Sequence, residues 1–113
     1  MNADNAIRRD IKLHYEQQRA HVRHTCLLRH ADLDTRIDTL RTESNRCAWL
    51  MRTGRQDCTA RLEEIAAELA QLRADKADTE YGCQQQLIQL KREMYDRLAQ
   101  HEQQLAQQKG GDA

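Results

Sequence analysis

The chain has 113 residues, with 18 Lys and Arg against 18 Asp and Glu, no Pro, no Phe, four Gly and 39% hydrophobic residues. That length supports one small domain, and a zero formal net charge offers no field for nucleic acid or an anionic membrane. The missing Phe rings argue against a broad core, and three of the four Gly stand at 82, 110 and 111, so an all-helical, elongated chain is expected.

In chain order, Met1 to Asp10 is polar and interrupted by Asp4 and Asp10. Neither a secretory signal nor a transit peptide is expected there, and no later segment approaches the ~20 apolar residues of a membrane span. The expected location is intracellular and cytoplasmic. A first arm over 5–52 carries apolar or tolerant residues at 7, 11, 15, 22, 26, 33, 37, 40, 47 and 51, in steps dominated by three and four. A polar stretch at 53–57 follows, with Gly54 placed as the residue just past a helix and Asp57 as the N-cap of the next. The second arm, 58–106, repeats the pattern at 58, 62, 65, 69, 72, 83, 87, 90, 94, 98 and 105. Residues 107–113 are expected to fray, with Gly110 and Gly111 ending any helix. Gly82 inside the second arm costs about 1 kcal/mol against Ala.

Two architectures fit this stripe: one continuous helix in a parallel coiled-coil dimer, or a long antiparallel helical hairpin. An antiparallel pair requires facing positions whose numbers add to a constant. The constant 109 joins Met51 with Cys58, Cys47 with Leu62, Leu40 with Leu69, Ile37 with Leu72, Cys26 with Cys83, Val22 with Leu87, Tyr15 with Met94 and Ile11 with Leu98. Counted outward from Gly54, both arms step 4, 3, 4, 3, 4, 3, 4, 4, so the irregular step falls at the same layer in each. A continuous dimer has no reason to place it symmetrically, and the hairpin is the expected fold. Three layers are imperfect, Ser44 with Ile65, Leu33 with Lys76 and His30 with Thr79. On the flanks Arg36 is expected to meet Asp75 and Asp34 to meet Arg73, while Glu43 faces Glu68.

Arms of ~48 residues would run ~70 Å and bury one narrow seam, so association with other helical proteins or with further copies is expected. Leu27, Leu28, Trp49, Leu50, Tyr81, Ile88 and Tyr95 lie off the seam and supply docking surface. Trp49 and Leu50 form an apolar tip beside the turn, either capping the hairpin or meeting a partner.

All four cysteines, 26, 47, 58 and 83, lie on the seam. Reduced thiols packed as small hydrophobes suit a reducing compartment. A Cys26–Cys83 bridge is the second reading, because the two share a layer. Cys47 and Cys58 sit one layer apart, and an axial offset of ~6 Å between helical positions exceeds disulfide reach. The paired cysteines on two arms resemble the helix-turn-helix proteins of the mitochondrial intermembrane space, although Cys26 and Cys47 are 21 apart and Cys58 and Cys83 are 25 apart, wider than in that family. The resemblance implies inter-arm bridges and that compartment as an alternative location. A zinc site from Cys26, His30 and Cys83 is a further reading, with Glu80 or water as fourth ligand; His21 and His24 stand partly off the seam.

No Gly-rich phosphate loop, nucleophile elbow or HExxH helix is present, and acidic residues alternate with basic ones as on a solvated helix. No catalytic residue, cofactor or small-molecule substrate is expected. The expected role is a non-enzymatic structural or adaptor coiled coil. A stapled subunit or assembly factor of the intermembrane space and a filament-forming cytoskeletal coiled coil are the alternatives.

Overall fold

The apolar stripe folds as two helices. The computed structural model describes residues 2–111, in which α1 spans Asn2–Arg52 and α2 spans Thr59–Gly111. Among the described residues there is no strand, and the fold is the antiparallel helical hairpin. α1 begins earlier than residue 5, and α2 continues past 106 through Gly110 and Gly111, the residues expected to end it, because Ala106, Gln107, Gln108 and Lys109 are good helix formers that carry the helix on. The last two positions of the expected frayed tail, 112 and 113, lie outside the described residues.

Local chemistry builds the turn. Gly54 has φ +67°, a left-handed conformation that costs a residue with a Cβ but not glycine. With Gly54 past the end of α1, its N–H donates to the Met51 carbonyl at 3.1 Å and the Arg55 N–H donates to the Leu50 carbonyl at 2.9 Å. This is the paired arrangement of a Schellman ending, and it satisfies carbonyls that the last helical turn leaves open. On the other side Asp57 Oδ1 accepts from the Thr59 N–H at 3.0 Å and from the Thr59 hydroxyl at 2.7 Å, capping α2 as the sequence indicates.

The chain divides into two compact units, Thr25–Gly82 around the turn and residues 2–24 with 83–111. In the turn unit, α1 packs on α2 through two clusters. Leu33, Ile37 and Leu72 form one, joined by Leu40 and Leu69; Cys47, Cys58 and Ile65 form the other, joined by Leu40, Leu50, Leu62 and Leu69. The Ile37, Leu72 and Leu40, Leu69 layers are those the number rule names. Ile65, opposite Ser44 in a layer expected to be imperfect, is the most buried side chain at 1% exposure. Burying each such aliphatic side chain contributes about 1.5–3 kcal/mol.

In the other unit, Ile11, Tyr15 and Val22 of α1 and Leu87, Leu90, Met94, Leu98 and Leu105 of α2 are half-buried. His101 is its one buried polar side chain among the described residues.

Candidate functional site

The turn departs from the simple layer rule at one residue. Cys58 precedes the first helical residue, Thr59, and its carbonyl accepts the opening bond of α2 from the Leu62 N–H at 2.9 Å. It joins Cys47 and Ile65 in one buried cluster. As the axial offset leads one to expect, no disulfide joins the two cysteines, although they share a cluster. Met51, the expected layer partner of Cys58, is instead 38% exposed. Cys47 and Cys58 are both buried and both free. Burial pushes the Cys58 thiol up, and the Cys47 contact and the Asp57 carboxylate add to this. A cavity of about 510 Å³ opens on the pair, lined also by Arg46, Leu50, Asp57 and Arg61.

The remaining cysteines differ. Cys26 is disulfide-bonded, and so is Cys83, so the expectation of four reduced thiols gives way to two. The zinc reading of Cys26, His30 and Cys83 falls with it, because zinc binds thiolates and a disulfide sulfur is not one. His30 Nδ1 lies 4.0 Å from Glu80 Oε1. Among the described residues no group of three or more His, Cys, Asp or Glu is placed to hold a metal ion.

The expected docking residues separate into two kinds. Leu27 is 67% exposed, Leu28 59% and Tyr81 66%, and Ile88 and Tyr95 are also exposed. Leu50, by contrast, packs against the Cys47, Cys58 and Ile65 cluster, so the apolar tip reduces to Trp49. The Arg55 guanidinium sits over the Trp49 ring at 5.0 Å, a cation–π contact that partly covers it.

Charged side chains pair otherwise than simple flank matching suggests, because long side chains reach along the helix as well as across it. Lys76 stands in the seam opposite Leu33, yet its Nζ swings out and donates to Asp34 Oδ1 at 2.6 Å, taking the place expected of Arg73. Arg36 turns to Asp32 on its own helix at 3.9 Å, and Asp75 accepts from Gln71. The expected Glu43 and Glu68 opposition is bridged by Arg61. Its Nε and Nη2 donate to the two Glu43 oxygens at 2.6 and 2.8 Å, and its Nη1 lies 3.1 Å from Glu64 and 3.5 Å from Glu68. This is a bidentate fork with two further carboxylates.

His101 escaped the sequence reading, although it continues the stripe by a step of three from Leu98 and four to Leu105. It hydrogen-bonds Asp4, which also accepts from Arg8 Nε at 3.3 Å.

These contacts set a pH dependence. The His101 hydrogen bond holds the Asp4 carboxyl below its usual range, Lys76 does so for Asp34, Arg61 for Glu43 and the Thr59 hydroxyl for Asp57. A carboxyl depressed in the folded state contributes stability above its unfolded value, near 4, and loses it as pH falls through the folded value. Thermal unfolding followed by circular dichroism should therefore show a Tm that is flat between about pH 5 and 8 and falls below about pH 4. Replacing Asp34 by Asn should shrink that fall.

The second unit carries a groove of about 730 Å³, lined by Gln17, Gln18, Gln86, Gln89, His14, His21, Val22 and Leu90. His14 Nε2 shares a hydrogen bond with Gln18 at 2.9 Å, and the His14 ring stands edge-on to Tyr15 at 5.1 Å. No carboxylate, thiol or hydroxyl lines this groove to act with the histidines. Among the described residues no helix is long and apolar enough to cross a membrane. No protein-family model matches the chain, and comparison with curated proteins and with solved structures finds no match.

Proposed function

We propose that the chain is a non-enzymatic coiled-coil structural or adaptor protein whose outer helix faces bind other helices, in a partner or in a second copy, within a larger assembly. The observation that carries this reading is the exposure of large apolar side chains on both helices, above all Leu27, Leu28, Tyr81 and Tyr95. Water contact at these residues is relieved only by a surface the hairpin itself does not supply. Reburying each gains about 1.5–3 kcal/mol before the costs of association. A formal net charge of zero over the chain leaves packing, rather than a long-range field, to select the partner.

Sedimentation of the full chain across the micromolar range tests the self-binding arm. The expected result is a mass that rises with concentration, and that stays monomeric when Leu27 and Leu28 are both changed to Ser at unchanged helicity. For a different partner, proximity crosslinking in cells should place neighbours on the wild-type chain that the double variant loses. A wild-type monomer throughout, with the same crosslinked neighbours for both chains, contradicts the proposal.

A second reading is favoured by the disulfide state of Cys26 and Cys83. In it the chain is a stapled helix-turn-helix subunit or assembly factor in an oxidising compartment such as the mitochondrial intermembrane space. Alkylation in intact cells before lysis separates the two. Two reactive thiols per unfolded chain support the oxidised protein, and four support the cytoplasmic one.

A further inference from the structure

We propose that Cys47 and Cys58 are a modification site: a dithiol that closes to a disulfide across the turn by exchange with a small-molecule disulfide of the glutathione type. Three observations carry it. The two cysteines sit side by side in one buried cluster with Ile65 and line the same cavity. Cys58 lies at the boundary between the turn and α2, its carbonyl accepting from the Leu62 N–H at 2.9 Å, so the sulfurs are brought together by side-chain rotation and adjustment of the turn that precedes it. The cavity of about 510 Å³ that opens on both residues gives a reagent access, and its lining of Arg46 and Arg61 with Asp57 and Glu43 offers both signs of charge to a zwitterionic peptide disulfide.

The chemistry balances in two exchanges. One cysteine loses its proton to water, and its thiolate attacks a sulfur of the reagent, forming a mixed disulfide and expelling one reagent thiolate. The second cysteine, deprotonated in turn, attacks the protein sulfur of that mixed disulfide and expels the other. Two protein thiols are oxidised, one reagent disulfide is reduced to two thiols, and no other reactant is required. The raised Cys58 value makes the first attack slow near neutral pH. The second is favoured by proximity, so the mixed disulfide does not accumulate. This site differs from the cysteines already oxidised, since Cys47 and Cys58 are the free ones.

The test uses the full wild-type chain, purified without reductant and incubated with excess oxidised glutathione at mildly alkaline pH. Trypsin cuts after Arg46, Arg52, Arg55 and Arg61, releasing 47–52 and 56–61 as separate peptides unless a bridge joins them. The expected result is a fall from two free thiols to none, a joined 47–52 and 56–61 species that dithiothreitol separates, and no lasting glutathione adduct. A chain with Cys58→Ser should instead retain glutathione on Cys47. Stable adducts on both cysteines of the wild type, or two thiols that stay free in the folded chain but react in urea, would overturn the proposal.

Discussion

Ile65→Ala is expected to lower the unfolding free energy by ~2–5 kcal/mol, the range for truncating a buried aliphatic side chain. Ile65 is 1% exposed and packs with Cys47 and Cys58, and Leu40 and Leu69 join its cluster to that of Leu33, Ile37 and Leu72. A two-helix seam has no second layer to relax into the space, so the cavity term adds to the lost transfer energy. Against a typical total of ~5–15 kcal/mol, that is a large share of the stability. Urea unfolding followed by circular dichroism measures it, with Ile88→Ala as the comparison. Ile88 is 43% exposed, and its truncation should fall within about 0.5 kcal/mol of the wild type. Equal effects at 65 and 88 would mean that the seam does not run through Ile65.

Gly54→Ala should destabilise the chain by ~1–2 kcal/mol, the cost of a left-handed residue bearing a Cβ, less part of the ~0.4–1 kcal/mol that a stiffer unfolded chain returns. Gly54 alone of the described glycines has a positive φ, and the added Cβ meets no atom within 4 Å, so the penalty is conformational and not steric crowding. Gly82→Ala provides the opposite sign. That residue lies within α2 with open space at its Cβ, and the change should stabilise by about 1 kcal/mol through helix propensity. Tm values for the two variants on either side of the wild type bear out both assignments. A Gly54→Ala chain as stable as the wild type would place the turn elsewhere.

The legible part of this fold was periodic. Two stripes mirrored about Gly54 identify the antiparallel layers at Ile37 with Leu72 and Leu40 with Leu69, and Asp57 caps the helix that its residue type and place suggest. The illegible part was set by single-residue offsets and by long side chains. Cys58, at the boundary of α2, packs with Cys47 and Ile65 while Met51 stays exposed, and a stripe does not register that choice. Arg61 serves three carboxylates and Lys76 leaves the seam for Asp34, choices made by rotamers several bonds from the backbone. Leu50 packs, partly buried, against the Cys47, Cys58 and Ile65 cluster although its spacing places it off the seam. His101 was legible from spacing and obscured by its polarity, which Asp4 compensates. The partner surface is legible only as exposed apolar side chains, since nothing within one chain names what covers them.

The central claim is that α1 folds back on α2 within one chain in the register that sets Asp34 against Lys76. Their side chains are 2.6 Å apart, whereas 42 residues of continuous helix would separate them by ~60 Å. A zero-length carbodiimide crosslink on the unmodified protein, prepared as a mixture of ¹⁴N and ¹⁵N chains, measures this directly. The hairpin predicts an amide between Asp34 and Lys76 whose joined peptides carry a single isotope. Absence of that link, or a product in which the two isotopes are mixed, would contradict it.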